Sequence, residues 1–157
     1  MHLDQKIAKF LTVNKKTLAT AESCTGGLLA HTLTNIPGSS LFFLLGLVAY
    51  DNQAKVKLLK IPPQTIIKYG AVSQQTASLM ARHIRSLLKT DLGIGITGIA
   101  GPGGGSAKKP VGLVFISISN SKKTITKRFL FKGSRLSIKK QAMTASLRIL
   151  AQVLAIK

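Results

Sequence analysis

Acidic residues are almost missing. The 157 residues hold 4 Asp plus Glu against 23 Lys plus Arg, a formal charge of +19. The acids are Asp4, Glu22, Asp51 and Asp91. So few carboxylates exclude an acid-rich cage for Ca²⁺ or Mg²⁺. They also leave a paired-carboxylate glycosidase almost no residues to work with. Cysteine is as scarce: Cys24 stands alone, which excludes an intramolecular disulfide framework and four-thiolate zinc or iron–sulfur sites. His2, His31 and His83 show no metal-ligand spacing. No metal and no cofactor are therefore expected. The longest apolar run, residues 41–50, is far short of the roughly 20 residues that span a bilayer, and MHLDQKIAKF has no signal-peptide core. A cytoplasmic protein without a membrane partner is the expectation.

What is present points to one folded domain over residues 1–157. Hydrophobic residues make up 45%, enough for a sizeable single core. The basic surface favours anionic partners: phosphorylated small molecules, nucleic acid or anionic lipid. The periodicity predicts helices over residues 3–14, after Gly26-Gly27 to about Asn35, from a Ser73 cap to about Leu88 and from near Ser134 to about Leu154. Strands are predicted at 17–21, 92–97, 111–119 and 124–131, the last two as a hairpin. LFFLLGLVAY (41–50) reads as a strongly buried strand or strand pair. Asp51 or Asn52 caps a short helix to Leu59, and 65–69 forms a helical turn. Helices alternating with strands, then a hairpin, predict a three-layer α/β/α domain with a mixed central sheet.

Four segments can carry chemistry. Glu22-Ser23-Cys24-Thr25-Gly26-Gly27 turns from strand to helix, where a side chain stands at a strand's carboxyl end and backbone N–H groups can hold an oxyanion or phosphate; an ordinary capped helix start with a buried thiol is the competing reading. Tyr50 to Lys55 places a lysine one turn into a helix, where burial or neighbouring positive charge makes it a general base; a solvated lysine is the alternative. The loop Gly98 to Ser106 holds five glycines, letting backbone approach a ligand closely, and it is neither a Walker loop nor a dinucleotide fingerprint. Arg135 beside a helix start suits a phosphate. The basic stretch from Lys122 to Lys140 reads as a solvated face and a weak nucleic-acid signal. Cys24 reads as a buried thiol, with a nucleophile as the alternative.

TAESCTGG (20–27), PGSS (37–40), GLVAYDNQAK (46–55), GAVS (70–73), GITGIAGPGGGSAKKPVG (95–112) and FKGSR (131–135) occur together in this order. In this the chain resembles the CinA C-terminal domain family, the nicotinamide-nucleotide amidases, in a form that stands alone. The resemblance implies hydrolysis of the carboxamide of nicotinamide mononucleotide to nicotinic acid mononucleotide and ammonia. It implies that Ser23 is the nucleophile, Lys55 its base and Tyr50 a third catalytic residue. Thr25, Gly26, Gly27, Thr97, Gly98, Gly101, Gly104 and Arg135 are the candidate substrate-binding residues. The expected partners are an anionic pyridine mononucleotide and a second copy of the chain, a dimer foremost, with no specific nucleic acid. The runner-up is a non-catalytic nucleotide- or nucleic-acid-binding module using the same basic surface.

Overall fold

The computed structural model describes residues 1–156. The elements follow in the order α1 (Leu3–Val13), β1 (Leu18–Glu22), α2 (Leu28–Thr34), a single 3₁₀ turn (Ser39–Leu41), β2 (Phe43–Val48), α3 (Asn52–Lys57), α4 (Pro63–Tyr69), α5 (Gln74–Leu87), β3 (Leu92–Gly98), β4 (Leu113–Ser119), β5 (Thr124–Leu130) and α6 (Arg135–Val153). The strand order is β2-β1-β3-β4-β5. β1 pairs in parallel with β2 and β3, while β3, β4 and β5 pair antiparallel. The mixed α/β/α sandwich expected from the element pattern is the fold observed.

Two apolar layers flank the sheet. Ile94, Ile96, Ile116 and Ile118 pack with Ile7 and Leu11 of α1, Leu29 of α2 and Ile138 of α6. On the opposite face Ala19 and Ala21 meet Met80 and Ile84 of α5. β3 carries glycine at two alternate positions, Gly93 and Gly95, and α5 lies directly against them. A Cβ on Gly95 would sit 2.5 Å from the carbonyl oxygen of Ala77 and 2.6 Å from the nitrogen of Ala81. Both are helix backbone and cannot swing aside. Gly95→Ala is therefore expected to destabilise the fold by about 3 kcal/mol, the upper range for overpacking. A chemical denaturation midpoint indistinguishable from wild type would refute this contact.

Residues 41–50 depart from expectation. β2 is an edge strand whose residues alternate between half-buried and exposed, and no residue within Phe43–Val48 is fully buried. The run is uniformly apolar, and from sequence such a run resembles a buried strand. Position at the end of the sheet overrides that. α3 begins where Asp51 accepts a hydrogen bond from the Gln53 N–H at 2.7 Å.

Candidate active site

The three parallel strands point their carboxyl ends to one rim. From β1 the chain turns to β2 through α2 on one face, then crosses to β3 through α3, α4 and α5 on the other. The crevice at this reversal is where open α/β sheets bind ligands. The Ser23 N–H bonds the Ile96 carbonyl at 3.0 Å, and the Ala49 N–H bonds the Glu22 carbonyl at 2.9 Å. Both contacts extend the sheet pairing one residue past the strands, so Ser23 emerges from a rigid frame.

The turn after Ser23 is held from inside. Glu22 is 1% exposed, and its carboxylate accepts from Thr25 Oγ1 (2.6 Å) and from the N–H groups of Leu29 (3.1 Å) and Ala30 (2.8 Å). A buried carboxylate at the first turn of α2 satisfies otherwise orphaned donors and complements the helix dipole. Gly26 and Gly27 adopt φ values of 61° and 94°, the left-handed region glycine enters without penalty. Thr25, Gly26 and Gly27 thus shape the turn and do not line the cavity beside Ser23. Reading the segment from sequence missed Glu22, although a lone acid beside the serine of so basic a chain was a usable signal.

Lys55 is 1% exposed. Its Nζ donates to Ser23 Oγ at 3.0 Å, to the Ala49 carbonyl at 2.9 Å and to the Tyr50 carbonyl at 3.0 Å. Burial holds its pKa below the ordinary lysine value, while the Asp51 carboxylate and Cys24 pull weakly the other way. The lowering cause is burial; neighbouring positive charge, the other route open from sequence, is not among the causes. The three contacts have a chemical consequence. An ammonium donates to all three oxygens. A neutral amine still donates to two carbonyls, which have no proton to return. Its lone pair is then left for Ser23, the one partner that carries a proton.

Cys24 is inert beside this pair. Burial pushes its thiol up to about 12, so it stays protonated at neutral pH and is a poor nucleophile. That favours the buried-thiol reading.

A cavity of about 260 Å³ opens in front of Ser23 and Lys55. Tyr50, Thr97, Gly98, Gly101, Gly104 and Arg135 line it, with Asn52, Ala71 and Val72, which sequence reasoning had not singled out. Thr97 Oγ1 donates to the Ala71 carbonyl at 2.8 Å, pinning residues 70–73 against β3. Arg135, the first residue of α6, donates through Nη1 to the Gly101 carbonyl and through Nη2 to Tyr50 Oη, each at 2.7 Å. It ties the glycine loop to the segment that ends in Lys55. A larger groove of about 740 Å³ runs between β5 and α6 past Lys127, Phe129, Lys140 and Arg148. It contains no nucleophile–base pair, and the smaller cavity is the one equipped for chemistry. Among the described residues no cluster of three or more His, Cys, Asp or Glu could hold a metal ion, and no helix is long and apolar enough to cross a membrane.

The description CinA C-terminal domain matches residues 1–154. The chain belongs to this family. It is 52% identical over 148 residues to a competence-damage inducible protein of Moorella thermoacetica, covering 94% of this chain and 36% of that protein. It is 46% identical over 154 residues to a CinA-like protein of Syntrophus aciditrophicus, covering 98% and 37%. The chain thus spans about a third of the length of these relatives. Among solved structures, a CinA superfamily protein from Enterobacter cloacae superposes with a TM-score of 0.93 at 37% identity, covering 97% of this chain and 90% of that one. CihA from Agrobacterium tumefaciens gives 0.90 at 36%, covering 98% and 93%.

Proposed function

We propose that this CinA-family domain hydrolyses the carboxamide of nicotinamide mononucleotide, with Ser23 as nucleophile and Lys55 as base. One observation carries the reading: a buried lysine with a lowered pKa, 3.0 Å from a serine hydroxyl at the floor of a cavity. A nucleophile with a base in hydrogen-bond reach is the requirement for covalent acyl transfer. The substrate follows from the motifs shared with the nicotinamide-nucleotide amidases, and a basic protein suits an anionic mononucleotide.

In this reading neutral Lys55 takes the Ser23 proton as Oγ attacks the carboxamide carbon. The N–H of Cys24, a residue that lines the cavity and whose N–H has no backbone carbonyl partner among the described residues, is the candidate oxyanion donor. Lys55 returns the proton to the leaving nitrogen, ammonia departs, and an ester joins Ser23 to the acyl group. Water then attacks the ester carbon while Lys55 takes its proton. The ester bond to Oγ then breaks, Lys55 hands the proton to Ser23 Oγ, and the carboxylic acid leaves with serine and neutral lysine regenerated. The test is ammonia release from nicotinamide mononucleotide with and without a chelator. Tight binding of the mononucleotide with no ammonia released would replace this reading with the binding module.

Arg135 gives a second test. Two of its five guanidinium donors are committed to Gly101 and Tyr50, leaving three for a phosphate. Arg135→Ala is expected to lower kcat/KM on nicotinamide riboside modestly, through loss of the Tyr50–Gly101 tie. On the mononucleotide it should lose about one decade more, the range of a charge-assisted hydrogen bond. Equal losses on both substrates would confine Arg135 to the tie.

A further inference from the structure

The helical layer on one face of the sheet stops short of the last strand. α6 packs on β4 and against α1 and α2. Between α6 and β5 it leaves the open groove of about 740 Å³. The base of this groove is apolar. Phe129 and Phe131 stack on each other with ring centroids 5.1 Å apart, and Ala145 and Ile149 of α6 complete the floor. At one end Leu136 is 60% exposed. At the other, Lys127 Nζ donates to Gln152 Oε1 at 3.0 Å, a bridge from β5 to α6.

Every charge that lines the groove is positive: Lys127, Lys140 and Arg148. No acid follows Asp91 in the chain, so none from β4, β5 or α6 can neutralise them. Lys127 is committed to Gln152. Lys140 and Arg148 are exposed and make no hydrogen bond or ion pair among the described residues. Both lie on α6, about 12 Å apart along its axis. An apolar floor with free cations on one bank is the complement of an amphipathic, acidic surface.

We propose that this groove receives an acidic amphipathic helix of another protein, its apolar side chains seated on Phe129, Phe131 and Leu136 and its carboxylates on Lys140 and Arg148. The dimensions agree. From Leu136 to Gln152, α6 runs about 24 Å, the length of a helix of about sixteen residues. A helix laid beside α6 would extend the helical layer over β5, and apolar residues spaced along one face of a helix are what such a groove reads. Charge and ring geometry select this occupant. A second copy at +19 has no acidic face to offer, since its Glu22 is buried and its Asp91 is paired with Lys16. A single nucleic-acid strand needs open aromatic faces and a continuous cationic track. Here the two rings are stacked on each other and half-buried, and two of the lining cations are free. The proposal stands apart from the amidase reading.

Fluorescence anisotropy on the full chain tests it with two labelled peptides of about sixteen residues, both built from leucine, alanine and glutamate. One carries its leucines on a single helix face; the other has the same composition with leucine scattered around the helix. Their charge is equal, so the general field of the protein attracts them alike. The amphipathic peptide is expected to bind at least about tenfold more tightly than its isomer. Lys140→Glu combined with Arg148→Glu, and separately Leu136→Asp, should each weaken it at least about tenfold. Lys68→Glu combined with Arg82→Glu removes the same charge from exposed positions on α4 and α5, and should cost less than about threefold at physiological salt. Backbone amide shifts of the wild type on adding the amphipathic peptide give a readout free of substitutions and should cluster in β5 and α6. Equal affinity for the two peptides would overturn the proposal. So would a control pair as damaging as the groove pair, or shifts that avoid β5 and α6. An oligothymidylate that displaces the amphipathic peptide and binds more tightly would also overturn it, in favour of a nucleic-acid site.

Discussion

Ser23→Ala is expected to abolish amide hydrolysis while leaving the fold intact. Ser23 is 8% exposed, and what alanine removes is one hydroxyl, whose recorded side-chain contact is with Lys55 Nζ. The N–H of residue 23 keeps its bond to Ile96, so the turn survives. Lys55 retains two carbonyl acceptors, Ala49 and Tyr50, so the buried amine is not orphaned. The chemistry has no such reserve. Removing an assisted serine from a protease of known mechanism costs about 10⁶-fold in kcat, and a loss beyond about 10³-fold is expected here. Mononucleotide binding, measured by calorimetry, should stay within a few-fold of wild type. Cys24→Ala should act mildly, because a thiol pushed up to about 12 contributes no thiolate. If Ser23→Ala kept full activity and Cys24→Ala lost it, the nucleophile would move one residue along the chain.

Lys55→Arg should be just as inactive although it keeps the positive charge. A guanidinium does not release its proton at working pH, so it cannot accept one from serine. It is also larger, at a site 1% exposed to solvent. Wild-type kcat/KM should rise with pH through a single group whose pKa lies below the ordinary lysine value of about 10.4, because only the neutral amine is competent. The same shift bears on stability, and its sign is opposite to that of a salt-bridged lysine. The folded state holds this proton less tightly than the unfolded chain does. The penalty for burying the amine is therefore full below the folded pKa and fades as pH climbs toward the unfolded value. Stability attributable to Lys55 thus rises with pH across that window. Lys55→Met should flatten the rise while eliminating activity. An active Lys55→Arg enzyme, or a pH profile that persists in it, would show that the residue acts by charge alone.

The basic run around the β4–β5 hairpin illustrates what charge in a sequence can and cannot say. Exposed lysines at residues 122, 123, 127 and 132 fit the solvated face expected of them. What no composition reveals is that the opposite edge is bare. That contrast exists only once the strands have been ordered in space.

The sequence by itself determined the local elements and the class of fold. The helices expected from residue 73 and from near Ser134 begin there, with Ser73 and Ser134 accepting from the N–H groups of Thr76 and Ser137. The alternation of strands and helices followed by a hairpin was enough for a mixed sheet. These features depend on neighbours in the chain, which periodicity and capping residues record. The motif pattern also marked Ser23, Tyr50 and Lys55 as residues of interest. It could not show that Ser23 and Lys55 meet, because 32 positions separate them and their contact depends on β1 and β2 lying side by side. Nor could it distinguish a buried lysine from the solvated ones, since burial is a property of the packed sandwich. β2 shows the reverse case. Its apolar run pointed to the middle of the sheet, yet strand order put it at the edge. A run of hydrophobic residues records that a segment avoids water, but only tertiary structure decides what covers it.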